Sequence, residues 1–98
     1  MSLESITQSI RTKMGDDSGL GATLKFDCGS DGVIVLDGAS TPNSVSNTDR
    51  ETDCTVTISL ENLQAMMNGE LNAVSGFISG KLKVAGDMSV AMKLQSVV

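Results

Sequence analysis

The first half of the chain passes from a helical to an alternating pattern of apolar positions. Apolar residues recur every three or four positions over 3–14, with polar residues between them, so an amphipathic helix is predicted there. Gly15 and Gly19 then end the helix. Short apolar runs at 20–26 and 32–36 flank a turn rich in Asp, Gly and Ser, and this arrangement predicts a β-hairpin.

The second half begins in a polar loop and then forms two amphipathic strands. The stretch 37–53 is dominated by small polar residues and contains the only proline, which predicts an exposed loop with at most one weak strand near 44–46. Apolar and polar residues alternate with a period of two at 54–59 and again at 81–84. Each of these segments is predicted to be a strand with one buried face.

Three further helices are predicted between and after these two strands. The first covers about 60–67, with Ser59 as its N-cap, and the second covers 73–78. The last begins after Asp87 and runs toward Val98. The expected fold is therefore α+β, with a mostly antiparallel or mixed sheet covered on one face by helices, and the sheet has five strands if the weak strand near 44–46 forms. A chain of 98 residues buries one core, so 1–98 is expected to be a single domain.

Composition removes several classes of function. Twelve acids against seven bases give a net charge of −5, which disfavours nucleic acid as a partner. Lys81, Lys83 and Lys93 are concentrated near the end, where a solvated face is favoured over a binding patch. The sequence contains neither the layout of a signal peptide, nor an apolar run of membrane-spanning length, nor a C-terminal peroxisomal signal, so a cytoplasmic location is predicted.

Candidates for catalysis and for metal binding are few. The sequence contains no histidine, which removes the commonest general base and the commonest metal ligand. Cys28 and Cys54 are isolated, without the spacing of a zinc site, and the acidic pairs lie in polar loops. We therefore expect a protein that is not an enzyme, with no catalytic residue, no bound metal and no cofactor.

The last predicted helix carries two apolar stripes, whereas a helix lying on a sheet needs only one. Val90, Leu94 and Val97 form one stripe. The other contains Met88, Ala91, Met92 and Gln95. Spacing alone favours a helix packed on both sides over one that lines a cavity, and it leaves open whether the Gln95 amide is buried or reaches solvent.

Three segments carry a resemblance to a known family. They are 53–58, the helix that ends in Met66-Met67-Asn68-Gly69, and above all the run Gly80-Lys81-Leu82-Lys83-Val84-x-Gly86-Asp87-Met88-x-x-Ala91-Met92-Lys93-Leu94-Gln95. In them the chain closely resembles the sterol carrier protein 2 domain family, and a looser similarity extends over nearly all of the remaining sequence.

The resemblance implies a five-stranded α+β fold that encloses a hydrophobic tunnel. Members of this family bind fatty acids, fatty acyl-CoA, phospholipids or sterols and transfer them without breaking bonds. The resemblance does not decide which lipid is physiological, whether the protein contacts a membrane transiently, or what its oligomeric state is. The residues that it implies for the tunnel wall are Leu63, Met66, Met67, Phe77, Ile78, Leu82, Met88, Met92 and Gln95.

Two alternatives differ in class from a lipid carrier. One is a structural domain that has kept the fold but filled its cavity, and that dimerises or docks a partner protein through a sheet edge or the last helix. The weaker one is an enzyme that acts through Cys54 or Cys28.

Overall fold

Five strands form one sheet in the computed structural model, which describes residues 2–16 and 18–93. The strands are β1 (Thr23–Asp27), β2 (Val33–Asp37), β3 (Ser44–Ser46), β4 (Cys54–Ile58) and β5 (Leu82–Gly86). The helices are α1 (Leu3–Met14), α2 (Leu60–Met67), α3 (Ala73–Ile78) and α4 (Met88–Met92), and a 3₁₀ turn at Gly29–Asp31 joins β1 to β2. The sheet order is β3-β2-β1-β4-β5.

The sheet is mixed, as the sequence predicts. β1 pairs antiparallel with β2, which confirms the hairpin, and parallel with β4. The pairs β2–β3 and β4–β5 are antiparallel. The predicted strand 20–26 begins too early, because Gly19 and Gly21 have φ values of 76° and 65° and turn the chain before it enters the sheet at Thr23. Leu20 is nevertheless fully buried.

Alternation along the strands gives the sheet one apolar and one polar face. Leu24 and Phe26 on β1 are fully buried, whereas Lys25 between them lies on the opposite face. The register aligns further buried residues from the neighbouring strands on the same face as Leu24 and Phe26. These are Ile34, Leu36, Val45, Cys54, Val56, Ile58 and Leu82. The hydrophobic core lies between this face and the helices.

Side-chain hydrogen bonds fix helix α1 on the β2–β3 end of the sheet. Its buried stripe contains Ile6 and Ile10. The Arg11 guanidinium donates to the Val45 carbonyl at 2.7 Å, and the Asn47 amide donates to the Thr7 hydroxyl at 2.9 Å. In the described ranges no helix has both the length and the apolar character needed to cross a bilayer.

The predicted caps of the later helices are present. The Ser59 hydroxyl accepts from the Asn62 N–H at 3.1 Å, and the Asp87 carboxylate accepts from the Ser89 N–H at 2.9 Å. The part of the last predicted helix beyond 93 lies outside the described residues.

Asp53 connects three strands near one end of the sheet. Its carboxylate accepts from the Thr23 N–H at 3.0 Å and from the Thr23 hydroxyl at 3.1 Å. Its carbonyl accepts from the Asp87 N–H at 2.8 Å. Gly86, the last residue of β5, lies so close that a Cβ atom there would be 2.5 Å from the Asp53 carbonyl oxygen. The absence of a side chain at Gly86 therefore allows β5 and α4 to meet β4.

Replacing Gly86 by alanine is expected to destabilise the fold more than the same change at Gly80. Both glycines have positive φ, 99° and 79°, but nothing lies within 4 Å of a Cβ at Gly80. Gly80→Ala should lower the free energy of unfolding by about 1 kcal/mol through backbone strain alone. Gly86→Ala adds the clash with Asp53 and should cost roughly 3 kcal/mol or more. Urea unfolding measures both variants, and equal losses would contradict the close approach.

Candidate ligand pocket

An apolar pocket of about 280 Å³ lies between α3, β5 and α4. Each of these elements contributes to its wall. Its lining residues are all apolar: Ala73, Val74, Phe77, Leu82, Val84, Met88, Ala91 and Met92.

The sequence builds this wall from two periodicities. On β5, residues two apart share a face, so Leu82 and Val84 both reach the pocket while Lys83 is exposed on the other side of the sheet. On α4, Met88 and Met92 are one helical turn apart and share the pocket side.

The described members of the two stripes of the last helix have different surroundings. Val90 on α4 is buried in the core. Met88 and Met92 line the pocket instead. The spacing alone favoured packing on both sides, and the structure corrects this for the described part of the helix, because there the second side lines a pocket that the described side chains leave open.

The pocket is open to solvent. Four of its large apolar side chains are substantially exposed: Val74 is 59% accessible, Phe77 47%, Met88 50% and Met92 82%. Exposed apolar area is costly in water, and its removal is worth about 25 cal/mol per Å². A ligand with apolar surface would gain this free energy on entering the pocket.

The structure places four of the nine predicted tunnel residues on the pocket wall, namely Phe77, Leu82, Met88 and Met92. The other five are in three kinds of position. Leu63 and Met66 are buried in the core and Met67 is half-buried against it, because α2 turns its apolar stripe toward the sheet. Ile78 is 80% exposed and is not on the wall, and Gln95 lies outside the described residues.

Four wall residues are missing from the predicted set. They are Ala73, Val74, Val84 and Ala91. Strand alternation from Leu82 points to Val84, and the helical spacing of Met88 and Met92 points to Ala91, so these two were detectable. On the short helix α3, Gly76 lies against Leu82, and the side that faces the pocket could not be predicted from the spacing of six residues.

Two ionisable groups near this end of the molecule have shifted pKa values. Burial, followed by the carboxylate of Asp87, raises the pKa of the Cys54 thiol. Hydrogen bonds from Ser89 lower the pKa of Asp87, so the N-cap of α4 is ionised at neutral pH. Within residues 2–16 and 18–93, no cluster of three His, Cys, Asp or Glu side chains could hold a metal ion.

An α+β fold with an open apolar pocket defines a class of small-molecule binding domains. Residues 3–98 match the SCP-2 sterol transfer family, and the chain belongs to that family. Sterol carrier protein 2 from Oryctolagus cuniculus is 44% identical over 69 residues, which are 69% of this chain and 13% of that protein. The chain thus spans only a small part of the length of this relative.

Solved structures show the same fold. The crystal structure of sterol carrier protein 2 like 2 from Aedes aegypti has a TM-score of 0.77 at 24% identity, and the match covers 100% of this chain and 97% of that chain. The solution structure of the palmitated form of the Aedes aegypti protein has a TM-score of 0.70 at 23% identity, covering 99% of this chain and 94% of that chain.

The thiol of Cys28 is expected to react slowly at neutral pH. Burial, followed by the carboxylates of Asp31 and Asp27, raises its pKa to about 11. In a Cys54→Ala variant, alkylation of Cys28 at pH 8 should be roughly a hundredfold slower than in the urea-unfolded chain, because the thiolate fraction is smaller. The rate should keep rising with pH toward about 11. A plateau near pH 9 in the folded protein would contradict the shift.

The same shift has a defined effect on stability. The unfolded chain loses the thiol proton at a lower pH than the folded one, so the contribution of Cys28 is complete below its unfolded pKa. It is then lost as the pH rises toward about 11. A Cys28→Ala variant should lack this part of the decline in the free energy of unfolding.

Proposed function

We propose that this protein binds lipids without catalysis and transfers them within the cell, holding an acyl chain in the pocket between α3, β5 and α4. Membership of the SCP-2 sterol transfer family supports lipid binding and transfer in general. Fatty acids, fatty acyl-CoA, phospholipids and sterols are the candidate ligands. A cytoplasmic location remains a prediction from the sequence.

The observation that carries this proposal is the chemistry of the pocket wall. All of its lining residues are apolar, and four of the large ones are left exposed to solvent. Such a wall offers a ligand desolvation but few directional contacts, which suits a hydrocarbon chain. Methionines at Met88 and Met92 are flexible and polarizable, so they can adapt to chains of different shape.

The size of the pocket supports a slender ligand. Its volume of about 280 Å³ is just below the usual range for ligand pockets, ~300–1,000 Å³. A single acyl chain needs less width than a rigid ring system. The palmitated state named for the mosquito protein is consistent with this choice.

The filled-cavity alternative finds less support. A structural domain of that kind would close the space between α3 and α4 with side chains, and among the described residues that space is open. The catalytic alternative also finds less support. The sequence contains no histidine that could activate a cysteine, and the pKa values of the Cys28 and Cys54 thiols are raised, which disfavours a nucleophilic thiolate.

Affinity for saturated fatty acids should rise with chain length. Each added methylene is worth ~0.8 kcal/mol of desolvation, or about a fourfold lower Kd, until the pocket is full. Displacement of a fluorescent fatty acid measures the series, with a sterol in the same assay as the comparison. An affinity independent of chain length would overturn binding in an apolar pocket, and tighter binding of the sterol would overturn the preference for a single chain.

Phe77 and Ile78 are neighbours in the sequence, and the family resemblance implies both of them for the tunnel wall, but substitutions at the two positions should have different effects on ligand binding. Phe77 lines the pocket, whereas Ile78 is exposed outside it. Phe77→Ser should therefore raise the Kd for a fluorescent fatty acid by roughly tenfold, because it removes apolar wall. Ile78→Ser, a matched loss of an exposed apolar side chain on α3, should change it less than about twofold. Equal effects of the two variants would contradict this pocket, provided that urea unfolding shows both to be folded.

A further inference from the structure

We propose that Met88 and Met92 form a reversible oxidation site, through which hydrogen peroxide weakens the binding of an acyl chain in the pocket. Both residues belong to α4 and line the pocket wall. The inference rests on the proposed function, because it names a chemical change in the wall that would regulate the same pocket. Any apolar side chain can desolvate a hydrocarbon chain, but the thioether of methionine can also be oxidised.

Accessibility to solvent separates these two methionines from the others that the structure describes. Met88 is 50% and Met92 is 82% exposed. Met14 is 3% and Met66 is 5% exposed, and Met67 is half-buried against the core. Oxidation requires contact between the sulfur atom and the peroxide, so susceptibility follows exposure. Peroxide should therefore react first with the two methionines of the pocket wall.

The reaction adds one oxygen atom to each sulfur. A lone pair of the thioether attacks one oxygen of hydrogen peroxide, an S–O bond forms as the O–O bond breaks, and the other oxygen leaves as water after a proton transfer. The sulfur is oxidised by two electrons and the peroxide is reduced. Methionine sulfoxide reductases reverse the change with a dithiol, which becomes a disulfide while the oxygen leaves as water. The modification is therefore reversible.

A sulfoxide changes the polarity of the wall where the ligand binds. Its oxygen is a hydrogen-bond acceptor, whereas all the lining side chains are apolar and none of them can donate to it. Without a ligand, water can reach this oxygen because the pocket is open to solvent. An acyl chain that displaces the water leaves the oxygen without a partner, and burial of such an acceptor lowers the affinity by roughly tenfold.

The contacts that hold α4 in the fold do not involve the two sulfur atoms. Val90 is the residue of this helix that is buried in the core. The Asp87 carboxylate caps the helix by accepting from the Ser89 N–H at 2.9 Å. Oxidation on the exposed side of α4 leaves these contacts in place, so a loss of affinity can be measured separately from a loss of structure.

Peroxide treatment of the full chain, followed by peptide mapping, locates the modification. Trypsin cuts after Lys and Arg, so Met88 and Met92 are on peptide 84–93, whereas the other described methionines are on peptides 14–25 and 51–81. Sulfoxide should form on 84–93 roughly tenfold faster than on 14–25. Saturation with palmitate before the treatment should slow the reaction on 84–93, because a bound chain covers the wall.

Titration with a fluorescent fatty acid before and after the treatment measures the effect on binding. The Kd of the unaltered chain should rise by roughly tenfold and should return after incubation with sulfoxide reductases and dithiothreitol. The double variant Met88→Leu/Met92→Leu, compared with its own untreated sample, should lose this rise because leucine cannot be oxidised. The matched control Met67→Leu on α2 should keep it. Circular dichroism checks that each treated sample is folded.

Three results would overturn the oxidation site. They are sulfoxide that forms first on 51–81, a Kd that is unchanged when Met88 and Met92 are both oxidised, and a Met67→Leu variant that no longer responds to peroxide. Titration of the untreated chain separates the two proposals. Failure to bind there removes the proposed function and this inference with it, whereas binding that peroxide does not weaken removes only the oxidation site.

Discussion

The position of the pocket depends on the backbone junction at Asp53. The Asp53 carboxylate binds Thr23 at the start of β1, and its carbonyl accepts from the Asp87 N–H at the start of α4. Gly86 makes the third contact. Because it has no Cβ atom, its backbone can lie directly against the Asp53 carbonyl. Through these contacts the end of β5 and the beginning of α4 are held against the central strands. Two of the three pocket walls are thereby fixed by one residue that precedes β4.

Burial is divided unevenly along the sheet. At the β2–β3 end of the sheet, α1 covers the apolar face. On the outer face of β1 and β2, residues of the polar loop form ion pairs with the strands, Asp49 with Lys25 and Arg50 with Asp37. Val35, which lies between these pairs, is buried even though it is on the polar side of the sheet. At the β5 side the helices are short, and the space between them is the pocket. The sheet is therefore covered tightly at one end and left open at the other.

Sequence patterns predict elements and faces well here, because alternation and helical spacing are local properties. They identify Leu82 as a buried strand residue and the Met88–Met92 pair as one side of a helix, and the structure has both on the pocket wall. Sequence patterns do not determine whether an apolar face packs against the core or lines a pocket. Leu63 and Met66 form the same kind of stripe, yet α2 presents it to the core. The distinction arises from long-range packing, in which Gly76 of α3 lies against Leu82 of β5 and the pocket lies between these two elements and α4.

An open apolar pocket lowers the stability of the elements that form it, because their side chains forgo contacts that a filled core would give. Here that cost falls on α3 and α4, which have six and five residues and bury few side chains of their own. Elements of this kind belong to the least stable part of a fold, where local opening requires little free energy. A bound acyl chain would return the missing contacts, so ligand binding and the ordering of these two helices are thermodynamically coupled. If the pocket holds the lipid as proposed, the same division would provide a route by which a lipid enters and leaves without unfolding of the domain.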